Sequence, residues 1–361
     1  MASVFERLRR RATQPQAVPS ADDQPPVPEP PADPAPPEPD WLPPADALQV
    51  DAADPELDQA LRWAVEDDPG VLHALLLGTR LEQDWERRSH AMRRAARQLV
   101  TVPHLVDRWA AGRPADPDLV MLQARTRIHQ AWRARSAGLA ADLTEHQRRA
   151  FSGLLLHAGP YVERAIALAP EDPTTYEAAI DRVRGLGPDR AAFGALVDAA
   201  TLVAPHEVGW QAAALRWLSP RWHGSAEEVI RYAAAAASAA PVTSRVRMLP
   251  VLALADVWVS AGLPGATDPT GDRDTVLAQV DEVVAAAHEH LAGVPDSIGR
   301  TEGRSELAHL LVLVGAPGAA YPLFVEIGDQ VTERPWLLNY HDPVATFLAM
   351  RGAAQAAHRP D

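Results

Sequence analysis

Ala167-Leu168-Ala169-Pro170-Glu171-Asp172-Pro173 is the stretch on which the fold turns. An apolar helical run stops at an alanine, a proline blocks its continuation, and an Asp-Pro pair opens the next run. Asp accepts a bond from a first-turn N–H, and Pro at the first helical position lacks only an N–H that has no intrahelical partner anyway. Thr201-Leu202-Val203-Ala204-Pro205-His206 repeats the break and Ala240-Pro241 repeats it again, at spacings of 35 and 36 residues. Ala316-Pro317 lies 76 residues further on, about two such units, and Arg113-Pro114-Ala115-Asp116-Pro117 is an earlier, more distant echo.

Outward from these breaks the helical signals continue. Asp54-Pro55, Asp68-Pro69, Asp116-Pro117 and Asp342-Pro343 each precede a helical run, and Ser225-Ala226-Glu227-Glu228 has the form of a capping box just after Gly224. Trp85, Met92, Ala96 and Leu99 line one side of the run 84–100, and Trp210, Ala213, Ala214 and Trp217 one side of the run 207–218. The ten tryptophans are expected chiefly as core anchors. Strand-length β-branched or aromatic runs are scarce.

A helix, a turn near a proline and a second helix at this period resembles the tetratricopeptide repeat. The resemblance lies in period and small-residue packing, since the repeat's early Trp, Gly and Tyr positions are not kept in register. It implies an all-α fold, a right-handed α-solenoid of antiparallel helix pairs, over residues 47–361. Residues 203–225, with Ala204-Pro205-His206 and Trp222-His223-Gly224-Ser225, are also similar to an uncharacterised actinobacterial family, over about residues 55–255. That family implies the fold and supplies no catalytic residues.

Ahead of the helical part lie two further segments. Residues 15–44 hold thirteen of the 34 prolines, so residues 14–46 are expected as a disordered, partly polyproline II acidic linker. Residues 1–13 carry four Arg against one Glu, with Val4, Phe5 and Leu8 at helical spacing, a basic segment suited to a weak membrane-surface contact. They lack the apolar h-region of a secretory signal, and no apolar stretch approaches the roughly 18 residues of a membrane span, so a cytoplasmic location is expected.

Composition removes much chemistry. The chain has no Cys, hence no disulfide, thiolate ligand or cysteine nucleophile, and no Lys, since all 34 basic residues are Arg. A net charge of −14 argues against nucleic acid as a partner. No cofactor is implied. His288-Glu289-His290 starts like a zinc-protease helix, but Ala292 stands where the second histidine belongs, and the two histidines face apart. Gly185-Leu186-Gly187 follows a helix and so is a helix–helix turn rather than a dinucleotide loop.

The charge is uneven: residues 80–149 carry fourteen Arg against eight acids. Arg87, His90, Arg94 and Arg97 form one stripe, flanked by Arg88 and Arg93. A planar guanidinium takes a carboxylate or phosphate with two parallel bonds. Such a stripe grips either an acidic partner or the chain's own acidic arm, residues 22–58; alternatively it is a solvated face paired locally with Asp84 and Glu86. Trp222 and His223, at an inter-helix break, are the other candidates for a groove. The expected function is a scaffold that binds a peptide or partner protein in a helical-repeat groove. An enzyme or small-molecule-binding domain with a His/carboxylate cleft, and a membrane-surface adaptor, are the alternatives.

Overall fold

A computed structural model describes residues 43–50, 54–135, 143–263, 266–336 and 342–358. The basic segment 1–13 and residues 14–42 of the linker lie outside the described residues. Among the described residues the chain is all-α, with fifteen helices. They are α1 (Pro55–Val65), α2 (Gly70–Leu81), α3 (Trp85–Leu99), α4 (Pro103–Gly112), α5 (Pro117–Arg135), α6 (Glu145–Leu168), α7 (Pro173–Leu186) and α8 (Arg190–Val203). There follow α9 (Val208–Trp217), α10 (Ala226–Ala239), α11 (Leu249–Ala261), α12 (Pro269–Gly293), α13 (Ile298–Leu313), α14 (Pro317–Ile327) and α15 (Pro343–His358). One short parallel pairing joins β1 (Gln49–Val50) to β2 (Gln330–Val331).

The caps explain where helices start and stop. Asp54 accepts from the Leu57 N–H at 3.0 Å, Asp172 from Thr174 at 3.0 Å and Asp342 from Val344 at 3.0 Å, with Pro next in each case. Asp268-Pro269 does the same for α12, Asp268 accepting from the Gly271 N–H. Ala169, Ala204 and Ala240 are the C-caps of α6, α8 and α10. Ala316-Pro317 differs, for it opens α14 instead of closing a helix, Pro317 taking the first helical position. The turn at Gly185-Leu186-Gly187 ends α7, with Gly187 at φ 144°, a conformation open to glycine.

Helices α3, α5, α7, α9, α11 and α13 form an inner row in which each packs on the next, and α6, α8, α10 and α12 flank it. α3 also touches α7 and α9, so it lies across the row. One apolar core gathers residues of α1 to α7, such as Leu57, Leu76, Met92 and Leu122. A second gathers residues of α9 to α15, such as Leu254, Leu307, Phe324 and Phe347. A smaller one, built on Phe193 stacked on Trp217 at 4.0 Å, links α7, α8 and α9. Trp210, Trp217 and Trp336 are fully buried, while Trp63 is exposed.

Candidate functional site

The arginine stripe on α3 is engaged within the protein. Arg87 donates to Asp54 through Nε at 2.8 Å and to Glu56 through Nη2 at 2.7 Å, and Arg94 pairs with Asp58. The acids that meet Arg87 and Arg94 thus belong to the start of α1, within the span 22–58. Arg97 pairs with Glu333 at 3.1 Å, and buried His90 lies 3.6 Å from Glu302. His223 sets its Nε2 2.8 Å from the Arg184 carbonyl, while Trp222 meets Trp132 edge-on at 5.3 Å.

Between the cores lies a cavity of about 570 Å3, to which Arg97 and Trp222 both contribute. α3, α5, α7, α9, α11 and α13 all line it, together with Glu333 and Arg334 just after β2. Among the described residues nine arginines and four carboxylates face it. A smaller cavity of about 210 Å3, lined by His90, Glu302 and Arg245, adjoins it through Arg93, Glu306 and Arg334, which line both.

The carboxylates here are shared beyond their number. Asp181 is approached by Arg184 at 3.2 Å, Arg125 at 3.5 Å and Arg216 at 3.6 Å. Glu177, fully buried, takes Arg125 at 2.6 Å and Ser89 at 2.5 Å, then Arg93 at 3.5 Å and Arg334 at 3.9 Å. Two carboxylates therefore serve five guanidinium groups. Arg216 and Arg334 make no side-chain hydrogen bond among the described residues; each reaches a carboxylate as an ion pair, at 3.6 and 3.9 Å, with Glu177 also attracting Arg216 and Glu333 attracting Arg334. Arg184 gains a different support, its guanidinium carbon lying 4.1 Å from the Trp132 ring centroid and 4.6 Å from that of Trp222.

Protonation follows from this crowding. Burial, with Arg216 and Arg93 beside it, pushes Arg334 down to about 9, still charged at neutral pH. Burial also lowers Arg216 and Arg184, against the pull of Asp181. Glu177, Asp181 and Glu333 stay below the usual carboxylate range because arginines outweigh their burial. Burial lifts Glu306 to about 7 and raises Asp256, so two of the four acids oppose the cations least. His129 and His309 are pushed down to about 4 by burial and are neutral at pH 7. The positive charge of the chamber is therefore arginine charge alone.

Other clusters fit less. His73, Asp116 and Asp118 place donor atoms within 4.8 Å of one another. Arg80 and Arg88 already bond Asp118 at 3.0 and 2.8 Å, and Arg113 sits 3.2 Å from the His73 ring, so cations hold this place. His290 turns its Nδ1 to the Val242 carbonyl at 3.0 Å while His288 is exposed, in keeping with their expected divergence. The break carrying Trp222 and His223 is close-packed: a Cβ on Gly224 would stand 2.0 Å from the Leu218 carbonyl oxygen. Gly224→Ala should destabilise the protein by about 1–3 kcal/mol, read by urea unfolding, because backbone must move to admit the methyl.

The sequence singled out Arg97 and Trp222 but missed Arg125, Arg216 and Arg334. One signal was present. Asp181, Arg216 and Leu252 each stand eleven residues after a turn proline (Pro170, Pro205, Pro241), and Arg125 stands eleven after Pro114. A repeat that holds one offset in one direction puts those four positions on a common inner surface. Arg334 follows no such rule. No family model matches the chain, and no curated protein or solved structure matches it either.

Proposed function

We propose that this chain is a binding protein, a right-handed tetratricopeptide-like stack of antiparallel helix pairs whose central chamber takes a small anionic ligand. The observation that carries the reading is the chamber itself, about 570 Å3 with nine arginines facing four carboxylates. Roughly 300–1,000 Å3 is the size of cavity in which small ligands are held. Like charges this close repel, and a fold that keeps them gains most when an anion enters. A small ligand is favoured over a peptide because the cavity is lined by six helices, with α3 touching α5, α7 and α9 around it.

The test compares melting midpoints of the full chain in sulfate and in chloride at equal ionic strength. A ligand that binds only the folded state raises the midpoint. Sulfate also stabilises proteins generally by exclusion from their surface, so the control is the Arg216→Gln/Arg334→Gln double variant. The expected result is a sulfate-specific gain in the wild type that the variant loses. Equal gains in both proteins would remove the chamber from consideration as an anion site.

A further inference from the structure

We infer that the ligand of the chamber is a small molecule bearing two or more phosphate groups, gripped chiefly by Arg216 and Arg334. The inference rests on the anion-binding reading above and narrows it.

Charge is the first ground. Five guanidinium groups share Asp181 and the adjoining Glu177, and among the described residues only Arg93 of the five has a further ion pair, with Glu302 at 3.6 Å. Of the four acids that face the chamber, Glu306 and Asp256 are ones whose burial favours the neutral form. A single carboxylate or orthophosphate would leave most of that excess uncompensated. Several negative groups on one molecule would not.

Donor chemistry is the second. Every cation here is a guanidinium, whose flat fork matches two oxygens of a phosphate at once, and the chain uses no lysine anywhere. Arg216 on α9 and Arg334 after β2 keep their donors unspent among the described residues, reaching a carboxylate only at 3.6 and 3.9 Å. Arg88, by comparison, donates to Asp172 at 2.7 Å and to the Leu76 carbonyl at 2.6 Å, and lies 2.8 Å from Asp118. The chamber pair thus has donor capacity for the oxygens of an anion.

Space is the third. About 570 Å3 exceeds what one oxyanion fills, so the ligand has an organic body or a chain of phosphates. Trp132 and Trp222 both lie against Arg184, and Ala96, Ile128, Leu215 and Leu252 add apolar wall.

Calorimetric titration of the full chain decides the matter, using orthophosphate, citrate, inorganic triphosphate, a nucleoside triphosphate and inositol hexakisphosphate. The expected result is that at least one multiply phosphorylated probe binds on the order of a hundredfold more tightly than orthophosphate and citrate, the strength of its binding falling with salt. Which of the three binds best separates a chain of phosphates, a nucleotide and a phosphorylated ring. Arg216→Gln and Arg334→Gln, taken singly, should each weaken that probe by roughly tenfold without lowering the melting midpoint, since each removes a poorly paired buried cation. Citrate binding as tightly as the phosphorylated probes would overturn the phosphate assignment and leave the anion reading standing. No binding by any probe, or binding unchanged in both variants, would overturn both. Should a variant fail to fold, the citrate-to-triphosphate comparison in the wild type still decides the phosphate assignment.

Discussion

Replacing Arg88 with alanine should lower the unfolding free energy by about 3–5 kcal/mol, the largest loss expected from any single change in this chain. Its side chain is wholly buried. Asp172, at the start of α7, and Asp118, in the first turn of α5, are buried with it, and the guanidinium lies 2.7 and 2.8 Å from their carboxylates. A further bond to the Leu76 carbonyl at 2.6 Å brings in α2. One side chain of α3 thus satisfies groups on three other helices. Its loss leaves two carboxylates without water and, in the case of Asp172, without any other cation within ion-pair reach among the described residues. Urea unfolding followed by circular dichroism measures the effect. A loss below about 1 kcal/mol would mean that water enters to solvate both acids. Arg88→Met should recover packing but not charge, and so remain nearly as damaging.

The second large effect concerns pH. Burial raises Glu306 from an ordinary 4.5 to about 7, with Glu302 adding to the rise and Arg245 opposing it. Between those values the folded protein holds a proton that the unfolded chain has released, so stability falls as pH climbs from 4.5 to 7. The full penalty, on the order of 3 kcal/mol, applies above pH 7. Glu306→Gln should therefore stabilise the protein by up to that amount at pH 8, with the advantage vanishing below about pH 4.5. Glutamine keeps an oxygen for the Arg245 Nη2, now 3.0 Å from the Glu306 carboxylate. Glu207, lifted to about 7 by burial and by Glu177, should keep part of the slope in the variant. Acids held low by arginines, such as Asp181 and Glu302, act in the opposite sense: they stabilise above the ordinary carboxylate range and lose that contribution as pH falls through their lowered values. Unfolding midpoints measured from about pH 2 to 9 test both limbs, and parallel curves for wild type and Glu306→Gln would sink the assignment.

Local chemistry made much of the fold legible. Asp-Pro caps, Ala-Pro stops and apolar stripes act within a few residues, and Asp54, Asp172 and Asp342 cap where the sequence places them. Trp210 and Trp217 point inward as their spacing requires. The chamber was not legible, because its pairs span the chain. Arg93 reaches Glu177 across 84 residues and Arg125 reaches Asp181 across 56. Helical periodicity says which side chains share a face of α3, and nothing about what covers that face. Arg87 and Arg94 look like a ligand grip in sequence, yet in the fold they fasten α1, while Arg93 and Arg97, on the same helix, face the cavity.

The pairing of Gln49–Val50 with Gln330–Val331, backed by the Arg351 bond to the Pro43 carbonyl at 2.9 Å, has a mechanical consequence. Tension applied at Pro43 would meet the Arg351 bond and then β1, passing across two residues of strand pairing to β2. Glu333 and Arg334 follow β2 after a single residue, Thr332. Force on residues 43–50 would thus reach the chamber wall through β2 by a shorter route than the one through the helical cores.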